Sequence, residues 1–187
     1  FIVVVQERDV HIDLGPVALR LAVDREDLVT CLHARGLRGG DQLRVYNGIY
    51  LANRKLGRDA EAAEAFGDLV DYGLRTGRLA VMFLFKPGST AFGPNPEIPH
   101  DMWLQQIAAR TARSGACLEI TGHTSRTGSE PLNERLSLLR AQSIQQRLEQ
   151  EAPALGGRLT ASGVGSRENI VGIGTDDARD ALDRRVE

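Results

Sequence analysis

Three short apolar segments in the C-terminal half are separated by two long helical patterns, and this alternation limits the folds available to the chain. Residues 79–85, 116–122 and 158–164 are short and rich in apolar side chains, as buried strands are. Apolar residues recur at helical spacing over 100–112 and 132–150. Strands joined by helices predict a βαβαβ order, which is an α+β sandwich with a mixed sheet and its helices on one face.

The two helical patterns also predict which side chains enter the core. A further short helix is expected over 176–182, and a last strand is expected to begin at Arg184. The predicted inward side chains are Trp103, Leu104, Ile107 and Ala108 on the first helix and Leu132, Leu136, Leu139, Ile144 and Leu148 on the second.

Residues 1–78 form a separate, smaller and mostly helical region in this prediction, and residues 79–187 form the second domain. Strand-like runs occupy 2–5 and 10–14, where β-branched and alternating apolar residues are found. A helix is expected over 24–36, between an Asp that can cap its start and a Gly that can end it.

A helical hairpin is expected next, over 43–56 and 59–77, with Asp59 as the N-cap of its second helix. The residues that match the spacing of a tetratricopeptide-type repeat are Gly57, Ala62 and Phe66. The hairpin therefore resembles one such repeat, although Tyr50 stands where the repeat has a small residue. An ordinary αα-hairpin explains the same pattern, and a single copy cannot build a solenoid.

Several blocks of the C-terminal half occur in the order typical of one family. Residues 122–128 (GHTSRTG) resemble a GHTDxxG turn, and residues 133–144 match an NxxLSxxRAxxV helix apart from one Ile for Val. Residues 83–92 (FLFKPGSTAF) resemble the entry strand and its loop. Residues 163–166 (GVGS) and 183–187 (DRRVE) resemble the following strand end and a closing NRRVE. The C-terminal half is thereby similar to the OmpA-like, peptidoglycan-binding domains.

This resemblance implies non-covalent binding of peptidoglycan through the diaminopimelate residue of its stem peptide. In the family, the motif Asp contacts the ammonium group of the ligand and the motif Arg pairs with a carboxylate. Arg140 occupies the Arg position, and Arg suits this role because its planar donors bind a carboxylate bidentately. The residues that the resemblance assigns to the ligand pocket are Thr124, Ser125, Asn133, Leu136, Arg140 and Arg184.

Ser125 occupies the position of the motif Asp. Charge-assisted hydrogen bonds are about twice as strong as neutral ones, so this change is expected to cost about 1–3 kcal/mol of ligand affinity, roughly a 5- to 150-fold weakening. The acidic residues that can replace the missing charge are Glu130, Glu168 and Asp176. Asp183 replaces the family's Asn and is expected to pair with Arg184 or Arg140.

Composition and motifs argue against several other functions. The chain has 23 basic and 25 acidic residues and a net charge of −2, without the basic excess of nucleic-acid-binding proteins. Its four histidines show no metal-ligand spacing, and no nucleophile or cofactor constellation is present. No run of 18 apolar residues is long enough to span a bilayer. A non-enzymatic protein without a cofactor is therefore predicted.

Two hypotheses of different classes follow. The first is a peptidoglycan-binding envelope protein, in the periplasm or associated with the outer membrane, whose export signal is expected upstream because the sequence begins without Met. The second is a degenerate OmpA-like fold that binds proteins and no longer binds the wall, with the N-terminal hairpin as the surface for an envelope partner. Ser125 favours the second hypothesis, and the intact Arg140 motif favours the first.

Overall fold

The protein is described by a computed structural model over residues 39–93, 98–175 and 177–187. The chain divides into two compact units between Leu79 and Ala80. The predictions that lie outside the described residues are the strands at 2–5 and 10–14 and the helix over 24–36.

Two helices lie where the N-terminal hairpin was predicted. Their bounds are Gly39–Lys55 for α1 and Asp59–Thr76 for α2. The ring centroids of Tyr46 and Tyr72 are 6.2 Å apart and those of Tyr50 and Phe66 are 5.6 Å apart, so the helices run antiparallel. Tyr50 thus packs on Phe66 where a tetratricopeptide-type repeat has a small residue, and the likeness to such a repeat stays a prediction.

The predicted capping role of Asp59 is wrong. Helix α2 begins at Asp59 itself, and the preceding Arg58 makes no side-chain cap. The Asp59 carboxylate instead pairs with the guanidinium of Arg54 near the end of α1. Its charge lies in the first turn of α2, where the helix dipole favours an anion. Gly77 ends the helix in the left-handed conformation, as the sequence predicted.

The C-terminal unit contains a four-stranded mixed sheet with the order β1–β4–β2–β3. The strand bounds are Phe83–Leu84 for β1, Leu118–Gly122 for β2, Leu159–Gly163 for β3 and Arg185–Val186 for β4. Strands β2 and β3 are parallel, and β4 lies antiparallel between β1 and β2. The predicted α+β class with a mixed sheet is confirmed. The first strand is shorter than the predicted 79–85 because its partner β4 has only two residues.

Two helices cover this sheet. Their bounds are His100–Ser114 for α3 and Glu130–Glu151 for α4. Helix α4 packs against β2 and β3, and α3 packs against α4. The four side chains predicted to point inward from α3 are all buried. The helix predicted over 176–182 is a 3₁₀ turn at Arg179–Asp183, with Asp176 outside the described residues.

The buried face of α4 differs from the predicted apolar stripe. Leu132 and Leu139 are exposed, and Leu136 is only partly buried. A Cβ on Gly122 would overlap the carbonyl group of Ser137, so α4 lies against the sheet with Ser137 at the point of closest approach. The side chains that α4 buries are Asn133, Ser137, Arg140, Ala141, Ile144 and Leu148. The N-terminal half of this face is therefore mostly polar, and only Ile144 and Leu148 are buried as predicted.

Candidate functional site

The turn after β2 carries the predicted ligand motif. Thr124 and Ser125 are both buried. The Thr124 N–H donates to the Gly165 carbonyl at 2.9 Å, and the Gly165 N–H donates to Ser137 Oγ at 3.0 Å. Three of the sequence motifs, in the turn, at the end of β3 and on α4, therefore meet at this point.

Arg140 is a fully buried side chain whose guanidinium donates to three backbone carbonyls. Nη1 donates to His123 at 3.0 Å, Nη2 to Lys86 at 2.9 Å and Nε to Ser89 at 2.9 Å. Its Cζ lies 5.3 Å from the ring centroid of Phe85, within cation–π range. Arg140 thus joins α4 to the end of β2 and to the loop after β1, and its contact with a ligand carboxylate stays a prediction.

Arg184 is buried beside the same segment of chain. Its Nε donates to the Phe85 carbonyl at 3.2 Å, and its Nη2 donates to the Asp177 carbonyl at 3.0 Å. The Phe85 N–H donates to the Arg184 carbonyl at 2.8 Å. Arg140 and Arg184 therefore bind adjacent carbonyls, those of Lys86 and Phe85, so the structure brings these two predicted site residues together.

Two of the predicted pocket side chains, Thr124 and Asn133, are buried with polar atoms that have no hydrogen-bond partner among the described residues. These atoms are Thr124 Oγ1 and Asn133 Nδ2. A Cβ on Gly128 would lie 3.9 Å from Asn133 Oδ1, which places Asn133 against the same turn. Leaving a buried polar atom unpaired costs about 1–3 kcal/mol. Both atoms are therefore candidates for contact with a ligand.

The acidic residues considered in place of the motif Asp lie in different settings. Glu130 accepts hydrogen bonds from the Ser166 N–H at 3.0 Å and the Ser166 hydroxyl at 2.5 Å. These bonds, with a smaller effect of Arg167, lower the pKa of Glu130. Glu168 is exposed. Asp176 lies outside the described residues, so its role as a replacement for the charge of the motif Asp stays a prediction.

Asp183 does not form the expected ion pair with Arg184 or Arg140. Its fully buried carboxylate instead accepts hydrogen bonds from the backbone N–H groups of residues 170–172, at 2.6, 2.9 and 2.7 Å. Hydrogen bonds to a charged acceptor are among the stronger ones in proteins. Asp183 therefore fixes the loop that follows β3.

A charged cluster beside the turn was missed from sequence. Nε2 of His123 lies 3.1 Å from Glu187 Oε1, within ion-pair distance but without hydrogen-bond geometry, and Arg185 Nη2 donates to the same oxygen at 2.9 Å. Burial and then the charge of Arg185 lower the pKa of His123, against opposite effects of Glu187 and Glu168. The sequence could have predicted the contact between Arg185 and Glu187, because residues two apart in a strand share a face of the sheet.

Asn169 was also missed, although it connects the turn to the loop after β3. Its Nδ2 donates to the Thr124 carbonyl at 2.8 Å, and its Oδ1 accepts from Arg126 Nε at 3.2 Å. Asn169 lies outside the recognised motifs, so the sequence carried no signal for this role.

The described ranges contain neither a candidate metal site nor a membrane-spanning helix. No group of three or more His, Cys, Asp or Glu side chains there is arranged to hold a metal ion. In the same ranges, none of the helices combines the length and the apolar character that crossing a membrane requires.

Residues 84–182 match the OmpA family. Among curated protein sequences, none matches the chain. The peptidoglycan-associated lipoprotein from Burkholderia pseudomallei is similar with a TM-score of 0.49 and 22% identity, over 57% of this chain and 86% of that one. The cell wall anchor of the T6SS from Pseudomonas aeruginosa is similar with a TM-score of 0.43 and 24% identity, over 55% of this chain and 71% of that one. The periplasmic domain of Helicobacter pylori MotB is similar with a TM-score of 0.42 and 18% identity, over 56% of this chain and 66% of that one.

Proposed function

Because the chain belongs to the OmpA family, we propose that it is a non-enzymatic protein of the cell envelope that binds peptidoglycan. The finer proposal is a site for the diaminopimelate residue of the stem peptide, on a protein in the periplasm or at the outer membrane. The observation that carries it is the pair of buried atoms, Thr124 Oγ1 and Asn133 Nδ2, which lack partners among the described residues at two motif positions. A polar ligand supplies the hydrogen bonds that these atoms lack.

The pocket residues other than Ser125 contribute to this proposal in different ways. Thr124 and Asn133 bind polar groups of the stem peptide, and the half-buried Leu136 lies three residues after Asn133 on α4. The charge of Arg140 lies beneath the turn, because its Nη1 is bound to the carbonyl of the residue before Thr124. That charge attracts a ligand carboxylate. Arg184 binds the Phe85 carbonyl, next to the Lys86 carbonyl that Arg140 binds, and so helps to hold the same segment in place.

A second candidate is a protein-interaction module that does not bind the wall. It is favoured by Ser125, which carries no charge for the ligand's ammonium group, and by Arg140, three of whose donors are bound to backbone carbonyls. In this candidate the α1–α2 hairpin is the surface for an envelope partner.

Restoring the motif Asp distinguishes the two candidates. We expect the native chain to co-sediment with purified diaminopimelate-type peptidoglycan, and Ser125→Asp to bind about 5- to 150-fold more tightly because the ammonium group regains a charged partner. The control is Ser129→Asp, which adds the same charge four residues away, at the exposed N-cap of α4. It is expected to bind like the native chain.

The possible outcomes separate the hypotheses. If the native chain and Ser125→Asp both remain in the supernatant while staying folded, the wall-binding proposal is wrong and the protein-interaction candidate is favoured. If Ser125→Asp and Ser129→Asp improve binding equally, the gain comes from overall charge and the pocket assignment is wrong.

A further comparison tests the predicted replacement of the motif Asp. Glu130 is engaged by Ser166, so Asp176 and Glu168 remain as candidates, and Asp176→Asn tests the first of them. If Asp176 supplies the missing charge, this variant weakens sedimentation while Asp177→Asn does not. Equal binding by both variants would reject Asp176 as the replacement.

A further inference from the structure

The loop after β3 presents apolar side chains beside the ligand-motif turn. We call residues 168–175 the rim loop. Ile170 is 53% exposed, Ile173 is 52% exposed and Val171 is 37% exposed. Single exposed apolar residues are common on protein surfaces. Here three β-branched side chains are exposed within four residues of one loop, and we call these three the apolar patch.

The backbone of the rim loop is held in place by two carboxylates. Asp183 accepts hydrogen bonds from the N–H groups of residues 170–172, and Asp180 accepts them from Ile173 at 3.2 Å and Thr175 at 2.6 Å. Both carboxylates are fully buried, which is costly unless such bonds compensate for lost hydration. A surface that is already ordered loses little entropy on binding a ligand.

The rim loop is continuous with the candidate pocket. Asn169 bonds to the Thr124 carbonyl on one side and to Arg126 on the other. The Arg126 guanidinium lies over the loop, because a Cβ on Gly172 would be 3.5 Å from Arg126 Cζ. An exposed cation and an apolar patch therefore lie side by side at the edge of the turn.

We propose that the rim loop is a second subsite, which takes the carboxy-terminal alanine that follows diaminopimelate in a stem tetrapeptide. This inference rests on the proposed function. A terminal alanine combines a methyl group with a carboxylate. Ile170 and Ile173 contact the methyl group, and Arg126 attracts the carboxylate. The exposed apolar side chains of Ile170, Val171 and Ile173 suit neither the hydroxyl groups of the glycan nor the ammonium group of diaminopimelate.

The experiment compares two soluble muropeptides by calorimetry with the full chain. One is the disaccharide tripeptide that ends in diaminopimelate, and the other is the disaccharide tetrapeptide that ends in D-alanine. We expect the native chain to bind the tetrapeptide about fourfold more tightly, because this is the gain in affinity that burial of one methyl group provides. We expect Ile170→Ser/Ile173→Ser to lose this preference while it still binds the tripeptide.

The control is Leu132→Ser/Leu139→Ser, which removes two exposed apolar side chains of α4, 67% and 44% exposed, that lie outside the rim loop. It is expected to keep the preference, and the single variant Ile173→Ser is expected to show a partial loss. Equal binding of both muropeptides by the native chain, or a preference retained by the rim variant, would contradict the subsite alone. A native chain that binds neither muropeptide would contradict the proposed function and the subsite with it.

Discussion

Arg140 Nη1 donates a 3.0 Å hydrogen bond to the carbonyl oxygen of His123, which fixes a buried charge on α4 beneath the turn that carries the ligand motif. The same guanidinium bonds to Lys86 and Ser89, so Arg140 holds three segments of the fold together. Loss of peptidoglycan binding in Arg140→Ala would therefore report unfolding as readily as a lost ligand contact. Ser125→Asp is the sharper test because it adds a function to a folded site.

The first prediction concerns the stability supplied by Arg140. We expect Arg140→Lys to lower the free energy of unfolding by about 2–4 kcal/mol, because one ammonium group cannot reach three separate carbonyls. The measurement is urea unfolding followed by the fluorescence of Trp103, the single Trp of the chain. The control is Arg135→Lys, on the exposed side of α4. Equal effects of the two variants would show that the three bonds contribute little.

The second prediction concerns the buried carboxylate of Asp183. We expect Asp183→Asn to destabilise the C-terminal unit by about 1–3 kcal/mol, because an amide keeps one acceptor oxygen and turns a donor towards a backbone N–H. Hydrogen exchange of the amides of residues 170–172 should accelerate more than that of α3. The control is Asp101→Asn, whose carboxylate is largely exposed. Unchanged exchange of the loop amides would contradict the role assigned to Asp183.

The sequence predicted the fold correctly because its motif residues are also the residues that build the fold. Ser137 and Arg140 lie in the recognised helix motif, and both bond to backbone groups of other segments. Arg184 lies in the closing motif and bonds to the end of β1. The motifs therefore mark residues that make tertiary contacts, although Arg140 and Arg184 were predicted as ligand residues and no contact of Ser137 was predicted.

Two errors of the sequence prediction have a structural cause. Periodicity assigned Leu132 and Leu139 to the core, but the sheet glycines bring α4 close at Ser137 and turn those leucines outward. The role of Asp183 was also not predictable, because its partners are backbone groups 11 to 13 residues earlier. Backbone N–H groups are present at almost every residue, so they leave no signal in the sequence.

The third prediction is a loss of stability on acidification. Burial is the main cause that lowers the pKa of both His123 and His100 from 6.5; Arg185 and Arg147 add to it, and Glu187, Glu168 and Asp101 oppose it. As the pH falls below about 6.5, the unfolded chain takes up these protons before the folded chain does, so stability falls. The contribution of each His is therefore fully present above that pH.

We expect His123→Gln and His100→Gln each to reduce the loss of unfolding free energy between pH 7.5 and 5.5, by at most about 1.4 kcal/mol per pH unit. Trp103 fluorescence in urea at each pH gives the values. Glu130→Gln is the control, because the lowered pKa of Glu130 places its titration below this window. Histidine variants with the native pH dependence would show that neither imidazole is linked to folding.

The fourth prediction tests the close approach of α4 to the sheet at Gly122. A Cβ at this position would overlap the Ser137 carbonyl oxygen and lie 2.7 Å from its carbon, and both atoms belong to the backbone of α4. Since a helix backbone cannot rotate away as a side chain can, Gly122→Ala must displace α4 together with Asn133 and Arg140. We expect a loss of about 3 kcal/mol in unfolding free energy and a weakening of peptidoglycan binding.

Gly156→Ala is the control, because its Cβ would meet only the Pro153 carbonyl oxygen at 3.4 Å, and its effect should stay within about 1 kcal/mol. If the two variants were equally stable, α4 would be free to shift, and the pocket residues it carries would not be held in fixed positions.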